Sequence, residues 1–117
     1  MSSRDKGNIF ESIACNYLLG IGYAICDRNL STNVGEIDIL AKKDEILVLV
    51  EVKGKSSDQF GHPLESITKG KLLKIKRTYN ILLSQGVLPE HDVVRVDLIY
   101  FKPNSECVHI IGDDWIL

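Results

Sequence analysis

The segment Gly35 to Lys53 constrains this chain more than any other, because it is an apolar hairpin with charges at one end. Ile37, Ile39, Ile46, Val48, Val50 and Val52 favour a pleated, partly buried surface. Lys43 and Asp44 fall where a two-residue turn would join two strands, and such a turn fixes which residues face each other. Leu40 then opposes Leu47, Asp38 opposes Leu49, and Glu36 opposes Glu51. One extra loop residue would turn one strand over relative to the other.

Side chains alternate between the faces of a sheet. One face therefore reads Ile37, Ile39, Ala41, Ile46, Val48, Val50 and Val52, which is all hydrocarbon and must be covered. The other reads Glu36, Asp38, Leu40, Leu47, Leu49, Glu51 and Lys53, with its charges at the open end. At an effective dielectric of about 20, two like charges about 5 Å apart repel by roughly 3 kcal/mol. Carboxylates gathered on a half-buried sheet therefore work against stability, and a bound cation would remove the repulsion.

The remaining chain supplies cover for that hairpin. Gly7 to Leu19 reads as a helix with an apolar stripe through Phe10, Ala14 and Leu18; Asp5 is placed to cap it and Gly20 and Gly22 to end it. Glu11 lies beside the stripe and reads as a solvated side chain unless the helix covers the hairpin's charged end. Tyr23 to Asn29 is a short strand ending near Arg28. Gly54 to His62 is a polar loop offering Lys55, Ser56 and Ser57 to a phosphate. Pro63 can open a second helix running to about Gln85, with Leu72, Ile75, Tyr79 and Leu82 at helical spacing and Gly86 as the stop. Its solvent side carries Lys69, Lys71, Lys74, Lys76 and Arg77 with no acid among them. Such a run is a solvated face or a contact for an anionic partner. Val93 to Phe101 is a strand with Val94, Val96, Leu98 and Tyr100 on one face and the Arg95–Asp97 ion pair on the other. Cys107 to Ile111 is an edge strand, and Trp115 plugs the core. The order α-β-β-β-α-β-β describes an α/β domain with a mixed sheet covered by helices.

A chain of 117 residues, 44% hydrophobic, is long enough for one domain spanning 1–117 with a real core. No apolar run could span a bilayer and no signal peptide opens the chain, which points to a cytoplasmic protein without membrane contact. The three cysteines are scattered, with neither metal nor disulfide spacing, and read as buried reduced thiols. A net charge of −2 gives no global basic field, so nucleic-acid binding would need a local patch. His62, His91 and His109 are isolated and structural.

The chemistry lies with Asp38, Glu51 and Lys53. Two carboxylates from adjacent strands, with the backbone carbonyl of Val52, are hard oxygen donors that suit Mg²⁺ (or Mn²⁺) bridged to phosphate. Glu36 could join a second metal or hydrogen-bond the first set of ligands. Lys53 could orient the attacking water or neutralise charge on the phosphate.

Several stretches carry a family likeness: Glu11 with Ala14 and Tyr17-Leu18, Gly22-Tyr23, Arg28-Asn29, Gly35-Glu-Ile-Asp-Ile39, Val50-Glu-Val-Lys53, Gly61 with Pro63, Ile67-Thr68, Lys71, and Arg95-Val-Asp97. On these the chain resembles the YraN family of the restriction-endonuclease-like PD-(D/E)xK superfamily, and it is similar in layout to archaeal Holliday junction resolvases. The resemblance implies a restriction-endonuclease-like five-stranded mixed sheet flanked by helices, with metal-dependent phosphodiester cleavage in DNA, including branched or recombining DNA. It places the active-site acids at Asp38 and Glu51, the lysine at Lys53 and a helix carboxylate at Glu11. Arg28, Lys55, Ser56, Lys69, Lys71, Lys74, Lys76 and Arg77 become nucleic-acid contacts, and a two-fold homodimer would suit cutting both strands. The chain has Glu36-Ile37 before Asp38 instead of the usual proline, and Gly54 follows Lys53. The alternative is a catalytically inactive nucleic-acid-binding or scaffold protein of the same fold.

Overall fold

A computed structural model of the chain describes residues 3–55, 68–112 and 114–116, with backbone alone for 3–7, 55 and 114–116. In chain order the elements are α1 (Ser3–Gly20), β1 (Ala24–Ser31), β2 (Glu36–Lys43), β3 (Ile46–Lys55), α2 (Lys69–Ser84), β4 (Val93–Phe101), β5 (Cys107–Ile110) and β6 (Asp114–Ile116). The strands lie in the order β1-β2-β3-β4-β5, and β6 also pairs with β4. All neighbours are antiparallel except β3 and β4, the pair joined through α2. A parallel pair needs such a crossover, which puts a helix against the sheet. The mixed sheet with covering helices matches the expectation, and short β6 is added to it.

β3 sits at the centre and is buried on both sides, which is why its apolar residues run without a polar break from Ile46 to Val50. Val48 and Val50 pack with Ile39, Ala41, Ile99 and Phe101 beneath Ala14, Cys15 and Leu18 of α1. Leu47 and Leu49 pack with Leu40, Val94 and Val96 beneath Ile75, Tyr79 and Leu82 of α2. Leu18 is fully buried, and a side chain of its size contributes about 2–3 kcal/mol.

The hairpin register differs from the expectation by two residues. Asp44 and Glu45 form the turn, and Leu40 faces Leu49 where Leu47 had been expected. Asp44 has φ +54°, a left-handed conformation that a short polar side chain tolerates. A shift of two keeps the parity, so most face assignments survive. Ile37 is the exception: Ile39 packs toward α1 but Ile37 packs toward α2. β1 reverses at the same level, since Arg28 reaches Glu11 of α1 while Leu30 packs with the α2 cluster. Between them, Asn29 has φ +53° and absorbs the twist.

Other boundaries moved. α1 starts at Ser3, so Asp5 lies inside it. α2 starts at Lys69 behind an extended Thr68, whose hydroxyl accepts from Lys71 N–H; a helix opened by Pro63 would fall in 56–67, outside the described residues. Gly54 and Lys55 belong to β3 and not to a loop. The thiols are free, but only Cys15 is buried: Cys107 is half-buried and Cys26 exposed. The Trp115 side chain also lies outside what is described. Among the described residues no helix is long and apolar enough to cross a membrane.

The candidate active site

β2 and β3 pair from Lys43 opposite Ile46 as far as Ile39 opposite Val50. Beyond that, β2 stays with β1 and β3 with β4, so the two centre strands part. The Asp38 side chain fills the gap, its Oδ2 accepting the Val52 N–H at 2.9 Å. Val52 thus enters through its amide.

On the α2 side of the parting strands is a cleft of about 260 Å³. Glu36 of β2, Glu51 and Lys53 of β3, and Lys71 and Lys74 of α2 line it, together with Gly35, Ile75 and Thr78. Gly35 is tightly packed here: a Cβ would lie 3.0 Å from Thr78 Oγ1, which would have to give by a few tenths of an ångström. Sequence reasoning missed Gly35, Ile75 and Thr78 as lining groups, although the Gly-Glu-Ile-Asp block pointed at the first.

Glu51 is pushed up to about 8, first by burial and then by the Asp38 charge, against the opposing pull of Lys53 and Lys71. Asp38 is pushed up to about 6, again mainly by burial; the Val52 hydrogen bond and Lys53 oppose this, while Glu11 and Glu36 add to it. Each carboxyl would therefore gain from a neighbouring cation. Lys71 is held below the usual lysine range by its contact with Lys53.

Glu11 approaches from α1. It is only 13% exposed, and its Oε1 has no hydrogen-bond partner, the Arg28 guanidinium standing 3.6 Å away. Arg28 also points a nitrogen at the Asn8 carbonyl (3.4 Å), and its Nε is likewise buried without a partner. Glu36, Glu51 and Lys53 thus line one cleft, with Asp38 in the strand gap beside it and Glu11 near enough on the α1 side to raise the Asp38 carboxyl. Of the α2 cations, Lys71 and Lys74 line the cleft, whereas Lys69, Lys76 and Arg77 do not. The Lys55 side chain and Ser56 lie outside the described residues. Among the described residues no three His, Cys, Asp or Glu side chains are gathered closely enough to hold a metal ion. Asp38 and Glu51 are the pair that would act as donors. Two hard carboxylates fit Mg²⁺, which keeps several waters and takes phosphate oxygens for the rest of its shell.

The other buried polar cluster lies on the opposite face of the sheet. Asp97 accepts from Arg95 Nε (2.8 Å), from a second Arg95 nitrogen (3.0 Å), from His109 Nε2 (2.6 Å) and from Gly112 N–H (3.2 Å). Arg95 continues to the Tyr23 hydroxyl at 2.8 Å, and His109 Nδ1 lies 3.0 Å from that of Tyr17. His109 is therefore structural but not isolated. His91 is held likewise, between the Pro89 carbonyl (2.6 Å) and the Tyr79 hydroxyl (2.8 Å).

Residues 10–101 match the model of a family described as uncharacterised protein family UPF0102. A UPF0102 protein of Vibrio campbellii is 42% identical over 98% of this chain and 91% of its own length. One from Clostridioides difficile is 43% identical over 89% of this chain and 95% of its own, and one from Sulfurihydrogenibium sp. is 40% identical over 90% of each.

Proposed function

The chain belongs to the UPF0102 family, that of YraN, and from the geometry of its cleft we propose that it is a metal-dependent endonuclease acting on phosphodiester bonds in DNA, branched or recombining DNA included. The observation that carries this reading is Glu51 beside Lys53 in an open cleft, with Asp38 in the adjoining strand gap close enough for its charge to raise the half-buried Glu51 carboxyl. Such an arrangement costs stability unless it serves a ligand. Asp38 and Glu51 would hold Mg²⁺ or Mn²⁺, which supplies Lewis acidity and a more acidic bound water. The Val52 amide fixes the Asp38 carboxylate, and so the direction of its remaining lone pairs. Lys53, which lines the same cleft, would neutralise charge developing on a phosphate. Glu11, with an unsatisfied oxygen near Asp38, adds a further acceptor on the α1 side. A homodimer would present two such sites to two strands.

Nicking of supercoiled plasmid, with Mg²⁺ and with chelator, tests the reading. Cleavage should need the metal and be lost in Asp38→Asn and Lys53→Ala with the circular dichroism spectrum unchanged. Cleavage by both variants at the wild-type rate would refute the assignment. The second reading, a catalytically inactive DNA-binding or scaffold protein of the same fold, is favoured by Lys71 and Lys74, which bring cations to the cleft independently of any metal. It is the outcome if a gel shift detects salt-sensitive binding with no cleavage under any divalent cation.

A further inference from the structure

α2 begins with charges opposed to its own dipole. A helix N-terminus carries partial positive charge and favours acidic side chains. α2 has no acid in its first turn; Lys69 and Lys71 stand there, and Lys74 follows one turn later. Lys71 and Lys74 line the cleft with Lys53, and Lys71 is close enough to Lys53 to be held below the usual lysine range. Like charges held together in this way are unfavourable without an anion between or beside them. Among the described residues no carboxylate comes within ion-pair distance of Lys53, Lys71 or Lys74. Lys53 comes from β3 and Lys71 and Lys74 from α2, so three ammonium groups border one cleft together with Glu51. A single small anion would satisfy one or two of them, whereas a nucleic-acid strand brings a phosphate for each.

We propose that Lys71 and Lys74, with the first turn of α2, hold the backbone phosphate next to the one that meets Asp38 and Glu51, as positioning residues for a nucleic-acid strand passing over the start of this helix. The inference rests on the nuclease reading of the cleft and deepens it. Ile75, between the two lysines and the sheet, gives the sugar an apolar surface. Arg77, on the same helix, is exposed and does not line the cleft, so it carries an equal charge without this role.

The test is binding of a short fluorescein-labelled DNA duplex in EDTA, followed by anisotropy over a salt series, which needs no catalysis. Lys71→Ala and Lys74→Ala should each weaken binding about tenfold, reduce the salt slope by about 1 and exceed the loss from Arg77→Ala, with melting temperature unchanged. Wild-type binding by both variants, or losses no greater than that of Arg77→Ala, would overturn the proposal. A second arm replaces single phosphates with neutral methylphosphonates. The replacement that weakens wild type should cost Lys71→Ala nothing more, and fully additive losses would count against the contact. If the lysine effects are found but no divalent cation supports cleavage, the nuclease reading fails while the phosphate site stands.

Discussion

Replacing Glu51 by Gln should make the metal-free protein more stable at alkaline pH, and the size of the gain follows from the site. Burial and Asp38 move the Glu51 carboxyl from an ordinary 4.5 to about 8. The folded state therefore holds a proton that the unfolded chain has lost throughout that window. Stability falls where the folded state binds more protons, so this contribution is complete below about pH 4.5 and gone above about pH 8. At 1.36 kcal/mol per unit the bound is about 5 kcal/mol, and water reaching the open side of the cleft reduces the expected loss to about 2–3 kcal/mol. Gln has the shape of protonated Glu and does not titrate. In urea denaturation with EDTA, the variant and wild type should match near pH 5 and diverge by about 2–3 kcal/mol at pH 9. Adding Mg²⁺ at pH 9 should raise the wild-type midpoint and leave the variant where it was, because ligand binding to the folded state alone stabilises it. A wild-type stability that is flat or rising between pH 5 and pH 9, or a variant that follows wild type throughout, would refute the reasoning.

Two predictions concern the opposite face. Asp97→Asn leaves the buried Arg95 guanidinium without its counter-charge and should cost about 3–5 kcal/mol in urea denaturation. Burial alone would favour neutral Asp97, but hydrogen bonds from His109, Arg95 and Gly112 hold its carboxyl below the usual range. Wild type should therefore lose this contribution as pH falls through the acid range, a loss absent in the variant; equal acid sensitivity would count against the account. Gly112→Ala would place a Cβ 1.7 Å from the Val96 carbonyl oxygen, so β5 and β6 must shift off β4. The expected cost is roughly 3 kcal/mol or more, about 10 °C in a thermal melt, and a change of only a degree or two would contradict it.

Much of this fold could be read from the chain. β4 has the expected ends, because its alternation of Val94 and Val96 with Arg95 and Asp97 leaves one register. The acids and lysine of the cleft were legible since period-two spacing survives a register shift of two. The shift itself was hidden: Lys43-Asp44 and Asp44-Glu45 are equally polar, and only the backbone shows that Asp44 takes the left-handed position. Ile37 was misplaced because no local signal marks the point where two strands exchange faces together. β6 is too short for periodicity to report, and its pairing follows a break at Gly112 that depends on the distant Asp97. The division of the α2 cations into cleft-lining and outward sets needed the tertiary position of the helix.

The exchange of faces at Asn29 and Asp38 ties the acid to both helices. Above that level the strand's inward side chains lie against one helix, and below it they lie against the other. A displacement of either helix relative to its neighbour therefore reaches Asp38 as torsion in its own backbone. A load on α2 would thus re-aim the carboxylate with no separate lid or hinge.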